Sequence, residues 1–158
     1  MRLAGLSYLG DDFIGLREQS DGSFVGYSLY ASGLLDPDHL IRFPTLASHS
    51  IPSGSPLDPK SLVLIANLFP ERLQRFASIR AIVVPHVTGG PRPESGMTTK
   101  AVALLAIAPS SLALQISPSP RALDVLARLV QRVPCYSLNL GGRVEEIPTC
   151  INRLMDQI

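Results

Sequence analysis

From Ser61 to Ile158 the chain alternates short apolar runs with stretches whose apolar residues fall at helical spacing, and nothing else in it constrains the fold as tightly. Strands alternating with helices imply βαβ units, a mostly parallel sheet and right-handed crossovers. Ser61–Leu68 is continuously apolar, as in a strand buried on both faces. The alternative is a helix capped by Asp58 with Pro59 in its first position. Pro70–Ser78 fits a short helix with Leu73 and Phe76 on one face. Arg80–Val87 contains Ile82-Val83-Val84 and reads as a strand. Thr98 or Thr99 caps a helix running through about Ala108, a strand being the competing reading. Leu112–Ser117 is expected as a strand. Ser119-Pro120 then opens a helix with Leu123, Leu126, Leu129 and Val130 as its apolar stripe. Pro134 ends that helix, Cys135–Leu140 forms a strand and Gly141-Gly142 a turn. The last helix starts near Val144 and turns Ile147, Ile151, Leu154 and Ile158 inward, with Pro148 tolerated near its start.

Residues 1–57 have a different texture. Leu3–Leu9 has the make-up of a strand. Phe13–Glu18 and Ser23–Tyr30 flank Gln19-Ser20-Asp21-Gly22, and Asp-Gly between β-prone runs signals a hairpin because glycine accepts positive φ. Across 32–56 the pairs Asp36-Pro37, Phe43-Pro44, Ile51-Pro52 and Ser55-Pro56 each bias the preceding residue away from helix, predicting a mostly irregular arm suited to embracing a protein partner. The expected fold class is therefore α/β. One domain over 1–158 would carry a mostly parallel sheet with helices on both faces, a flavodoxin- or Rossmann-like three-layer arrangement. The N-terminal β-hairpin and the 1–57 arm would be added to a βα-alternating core at 58–158.

Composition excludes some functions. A net charge of +1 gives no electrostatic case for nucleic acid or acidic membranes. Aromatic residues make up 6 % with no Trp, which argues against a base-stacking platform. Only 17 % of residues are charged while 46 % are hydrophobic, so some apolar surface must face a partner, and a second copy is the simplest one. Cys135 and Cys150 form neither a metal-type CxxC nor a disulfide framework, and isolated thiols suit a reducing, cytoplasmic compartment. The N-terminus lacks a secretory h-region, and the apolar runs are too short to span a bilayer.

In open α/β sheets ligands bind beyond the carboxyl ends of strands, so the loops after Val87, Ser117 and Leu140 come first, and those after Val87 and Leu140 carry the chemistry. The first runs from Thr88-Gly89-Gly90 through Arg92 to Thr98, Thr99 and Lys100. Glycines admit a ligand to backbone N–H groups, hydroxyls and cations meet phosphate oxygens, and a helix start near Thr99 adds its positive end. The GxxxxGK[ST] spacing of a P-loop is absent. This segment distantly resembles the ring-nucleotide-binding sensor domains of CRISPR systems. Thr88-Gly89-Gly90 and Met97-Thr98-Thr99-Lys100 match that pattern with an insertion between them, over about a tenth of the chain. The resemblance implies a nucleotide ligand.

The second loop is Asn139 with Gly141-Gly142-Arg143, again suited to an anion. Leu123–Gly142 also looks like the mannose-type phosphotransferase IIB domain, but the phosphorylated histidine that family needs has no counterpart near Asp11-Asp12, which read as a turn. His86 ends a predicted strand, where imidazole suits a general base, and His86-Val87-Thr88 is half of the two-histidine phosphoesterase signature. The three histidines lack metal-ligand spacing, so neither metal nor cofactor is expected.

Three readings follow: an α/β domain binding a small anionic molecule or nucleotide, a non-catalytic self-associating interaction subunit, and a hydrolase or phosphoesterase using His86.

Overall fold

The structure, a computed structural model, describes residues 5–54, 58–113 and 121–158. The chain forms two compact units. One comprises Met1–Arg17 with Val25–Ser78, the other Glu18–Phe24 with Ile79–Ile158.

In the first unit, β1 (Ile14–Glu18) and β2 (Phe24–Ser28) form the predicted hairpin, whose Glu18 and Phe24 ends belong to the second unit. The Gln19 N–H donates to the Ser23 carbonyl at 2.8 Å, and Gly22 closes the turn at φ +77°. A side chain there would be strained, which is why Asp-Gly marks the turn. The described part of the arm, 32–54, is folded, against the expectation of an irregular segment. β3 (Ser32–Leu35), α1 (Pro37–Arg42), α2 (Pro44–Ala47) and β4 (Ser50–Pro52) occupy it in turn. Pro37 and Pro44 each begin a helix, where the missing N–H costs nothing.

The apolar run at 61–68 divides. β5 (Ser61–Leu64) buries Ser61 and Val63 in alternation, and α3 (Ile65–Leu68) is one helical turn. β5 lies between β3 and β4, antiparallel to both. Pro70–Arg72 is a single 3-10 turn, and the helix expected there gives way to β6 (Phe76–Ser78), antiparallel to β2. Of the strand expected at 3–9, the described part shows one bridge, Tyr8 to Leu73.

The second unit holds β7 (Ile82–Val87), β8 (Glu94–Met97), α4 (Lys100–Ala113), α5 (Arg121–Arg132), β9 (Cys135–Leu140) and α6 (Ile147–Met155). Its sheet runs β7-β9-β8, with β7 parallel and β8 antiparallel to β9. Val84, Ala103, Val130 and Cys135 pack into one core cluster, so α4 and α5 cover the face that carries Ile82 and Cys135. Tyr136 and Leu138 are buried on the opposite face, as strand alternation requires, and α6 packs against β8. α5 buries Leu126, Leu129 and Val130 as its periodicity predicts, while Leu123 stays outside.

The mostly parallel three-layer sheet is overturned. Among the described residues there are three small, mostly antiparallel sheets and six α-helices, and β7–β9 is the parallel pair. Two features defeat the alternation. β8 sends the chain back alongside β9 before any helix forms, and Leu112 and Ala113 continue α4 where a strand was expected. The remainder of that expected strand and Ser119-Pro120 lie outside the described residues.

Candidate functional site

The loop after β7 and the turn after β9 meet at the carboxyl ends of the parallel pair. Gly142 N–H donates to the Gly90 carbonyl at 2.8 Å, and Thr88 N–H points to the Leu140 carbonyl at 3.5 Å. Gly141 lies so close to Arg92 that a β-carbon on it would stand 2.3 Å from the Arg92 carbonyl carbon. Pro93, one residue on, is buried and anchors the loop. Glu146, in the 3-10 turn Val144–Glu146 that leads into α6, ties the two segments together. Its Oε1 accepts from Arg143 Nη1 at 2.9 Å, and its Oε2 lies 3.8 Å from Arg92 Nε. Thr88, Gly89, Gly90, Arg92, Gly141, Gly142 and Arg143 thus form one shelf, with Asn139 at its strand edge. Two guanidiniums meet one carboxylate there.

Thr98, Thr99 and Lys100 are elsewhere. Met97 is in register with Tyr136 and Glu94 with Asn139, so β8 carries the chain to the opposite end of β9. There Thr98 N–H donates to the Cys135 carbonyl and Lys100 Nζ to that of Val133. Thr99 caps α4, its Oγ1 accepting from Val102 N–H at 3.2 Å. The two halves of the sensor-domain resemblance are therefore separated by a strand. Nothing in the sequence of Glu94-Ser95-Gly96-Met97 marks it as β, so 88–100 reads as one loop.

His86 is exposed near the end of β7. In register it faces Asn139, which in turn faces Glu94, so the three form a row across one face of the sheet. Strands lie about 4.8 Å apart, which puts the His86 and Glu94 backbones roughly 10 Å from each other, and no ion pair joins the two side chains among the described residues. Among the described residues no cluster of His, Cys, Asp and Glu has metal-binding geometry, and no helix is long and apolar enough to cross a membrane.

Two further constellations carried no sequence signal beyond their residue types. Tyr8 donates to the Ser32 carbonyl at 2.7 Å, and Asp11 accepts from Leu34 N–H at 2.9 Å, so both clamp β3. Arg128 grips Glu18 with Nε at 3.1 and 3.0 Å and Nη2 at 2.8 Å. That hydrogen bond holds the Glu18 carboxyl below the usual carboxylate range.

Comparison with protein families, with curated proteins and with solved structures finds no match for the chain.

Proposed function

We propose that this chain binds a small anionic molecule, a phosphate-bearing nucleotide or a carboxylate, on the shelf formed by the 88–92 and 139–143 segments. The observation that carries this reading is the meeting of Arg92 and Arg143 on Glu146, where two positive charges face one negative charge. Two guanidiniums converging on one carboxylate, together with exposed glycine backbone at the carboxyl ends of a parallel strand pair, suit an acidic ligand. Thr98, Thr99 and Lys100 have no part in it. A cytoplasmic setting fits Cys135 and Cys150 as free thiols.

Thermal unfolding against nucleotides, linear and cyclic oligonucleotides, sugar phosphates and carboxylates tests the proposal. A ligand at a hundred times its Kd adds about 2.7 kcal/mol, several degrees for a chain of this size. One ligand class is expected to give that shift, and Arg143→Gln to abolish it while leaving the ligand-free Tm nearly unchanged. A shift that survives in the Arg92→Gln, Arg143→Gln double variant, or no shift with any class, sinks the reading.

A second reading, self-association, rests on α4. Of its 14 residues Ala103 alone is buried, and Leu105 is 74 % exposed on an uncharged outer surface. Sedimentation of the full chain across concentration is expected to show a mass above the monomer, and a constant monomer mass removes it.

A further inference from the structure

The β7-β9-β8 sheet has two edges, and they are treated differently. Ile82 N–H donates to the Pro134 carbonyl, so the odd-numbered residues of β7 turn outward and Pro85 removes an N–H from that edge. β8 is the other edge. Thr98 N–H donates to the Cys135 carbonyl, and in the same register Gly96 faces Ser137 and Glu94 faces Asn139, so these even-numbered residues bond to β9. The N–H and carbonyl groups of Ser95 and Met97 therefore point away from the sheet, and no hydrogen bond takes them up among the described residues. β8 contains neither proline nor lysine, and all of its residues are exposed although α6 packs against the strand.

These free groups are self-complementary. An antiparallel copy of β8, placed about a two-fold axis at Gly96, sets Ser95 opposite Met97 of the second copy and Met97 opposite its Ser95. Each pair exchanges an N–H and a carbonyl in both directions, so every outward group of Ser95 and Met97 is satisfied. Moving the axis to Ser95 sets Met97 opposite Pro93, which has no N–H to give. Moving it to Met97 sets Ser95 opposite Thr99, where the chain has already turned to cap α4. The side chains agree with the Gly96 register. Glu94, the one charge on β8, falls opposite Thr98 of the second copy and far from its own counterpart. Met97, 73 % exposed in the single chain, lies diagonally across the axis from the second Met97, within reach of a long apolar side chain. Gly96 meets its counterpart at the close, non-hydrogen-bonded position, with open space where a side chain would stand.

We propose that β8 pairs antiparallel with β8 of a second copy about an axis at Gly96, joining two three-stranded sheets into one continuous sheet. The contact shares no residue with the glycine shelf and does not use Leu105 of α4, so it stands or falls apart from both readings above. Pairing of one short strand is a small interface that adds little to Tm, so trapping it is the sensitive test.

Oxidative cross-linking of the full chain carrying Cys150→Ser, with the buried Cys135 left in place, tests the register. Gly96→Cys is expected to give a disulfide-linked dimer, because the paired α-carbons at that position are about 4.5 Å apart. Ser95→Cys and Glu94→Cys leave the two substituted positions roughly 9 and 14 Å apart, and are expected to cross-link about tenfold more slowly or worse. Ser95→Pro added to Gly96→Cys is expected to abolish the cross-link without unfolding the chain, since the N–H it removes does not serve β9, and circular dichroism checks the fold. Leu105→Lys, which tests the α4 reading, is expected to leave the cross-link unchanged. In the parent chain, hydrogen exchange of the Ser95 and Met97 amides is expected to slow as protein concentration rises, while that of Gly96 stays constant. Cross-linking that is equal at positions 94, 95 and 96, or that survives Ser95→Pro, overturns the proposal. So do Ser95 and Met97 amides whose exchange ignores concentration, which would leave the edge to a strand of another protein.

Discussion

A β-carbon on Gly141 would stand 2.3 Å from the carbonyl carbon of Arg92, whereas one on Gly142 meets nothing closer than the Gly90 oxygen at 3.9 Å. The obstacle at Gly141 is backbone, which has no rotamer with which to step aside. Gly141→Ala is therefore expected to destabilise by about 1–3 kcal/mol, as overpacking does, and Gly142→Ala by less than about 0.5 kcal/mol. Urea unfolding of both variants checks the contrast, and equal losses would show that the two loops are not in contact. Tyr8 makes a second prediction at this scale. Burial first, then the nearby Asp11, Tyr30 and Asp12, push its hydroxyl up to about 12. A raised folded value means that the fold holds the neutral phenol. The stabilisation is fully present below the unfolded value, about 10, and is lost as pH rises toward 12. Tyr8→Phe should cost about 1 kcal/mol near neutrality, where it removes the hydrogen bond to Ser32, and should flatten the alkaline loss. Urea midpoints at neutral and alkaline pH read both effects. An alkaline slope identical to that of the parent chain would refute the assignment.

At the scale of elements, what the sequence revealed depended on whether a local signal was chemically distinct. The hairpin turn at Asp21-Gly22, the β-branched run of β7, the i, i+3, i+4 stripe of α5 and the proline at the head of α6 each demand one conformation, and each element formed. The run at 61–68 demanded none, because four to eight apolar residues fit a buried strand or a helical turn equally, and the structure uses both. The segment from Thr88 to Lys100 was harder still. Its first half belongs to the shelf, but β8 removes Thr98, Thr99 and Lys100 to the other end of the sheet. Only Thr99 kept its local role, as the α4 cap, and Thr99→Ala is expected to cost about 1 kcal/mol in thermal or urea unfolding. β7 carries an edge device as well. Ile82 N–H donates to the Pro134 carbonyl and Thr88 N–H faces Leu140, so the even-numbered residues turn toward β9 and Pro85 turns outward. Its missing N–H blunts an otherwise pairable edge. Pro85→Val should leave the fold intact and raise light scattering at high concentration, and scattering equal to that of the parent chain would mean that the edge is protected by something else.

For the whole molecule, the feature that composition exposed most directly was surface character. A chain with 46 % hydrophobic and 17 % charged residues cannot cover its apolar side chains with polar ones, although composition could not say where the excess would lie. Alternation of strands and helices pointed to the wrong architecture because it assumed that each apolar run was a strand of one sheet. The chain instead closes three small sheets, and three-stranded sheets leave more edge and face uncovered than one large sheet does. Part of the uncovered surface is on α4, whose residues from Ala101 to Ala113 carry no charge and which turns one side to α5 and the β7-β9-β8 sheet. The exposed Val102 and Leu105, one helical turn apart, form the centre of its other side. If this side is buried between copies, dimerisation must stabilise the fold by mass action, and Tm must rise with protein concentration. Leu105→Lys places a charge at the centre of the patch, at a position that contributes little to the monomer core. It is expected to abolish the concentration dependence and to lower Tm only at high concentration, converging with the parent chain on dilution. A variant that lowers Tm equally at every concentration would instead place Leu105 in the core of the single chain, contrary to its exposure. A parent chain whose Tm ignores concentration would leave the uncharged side of α4 facing water.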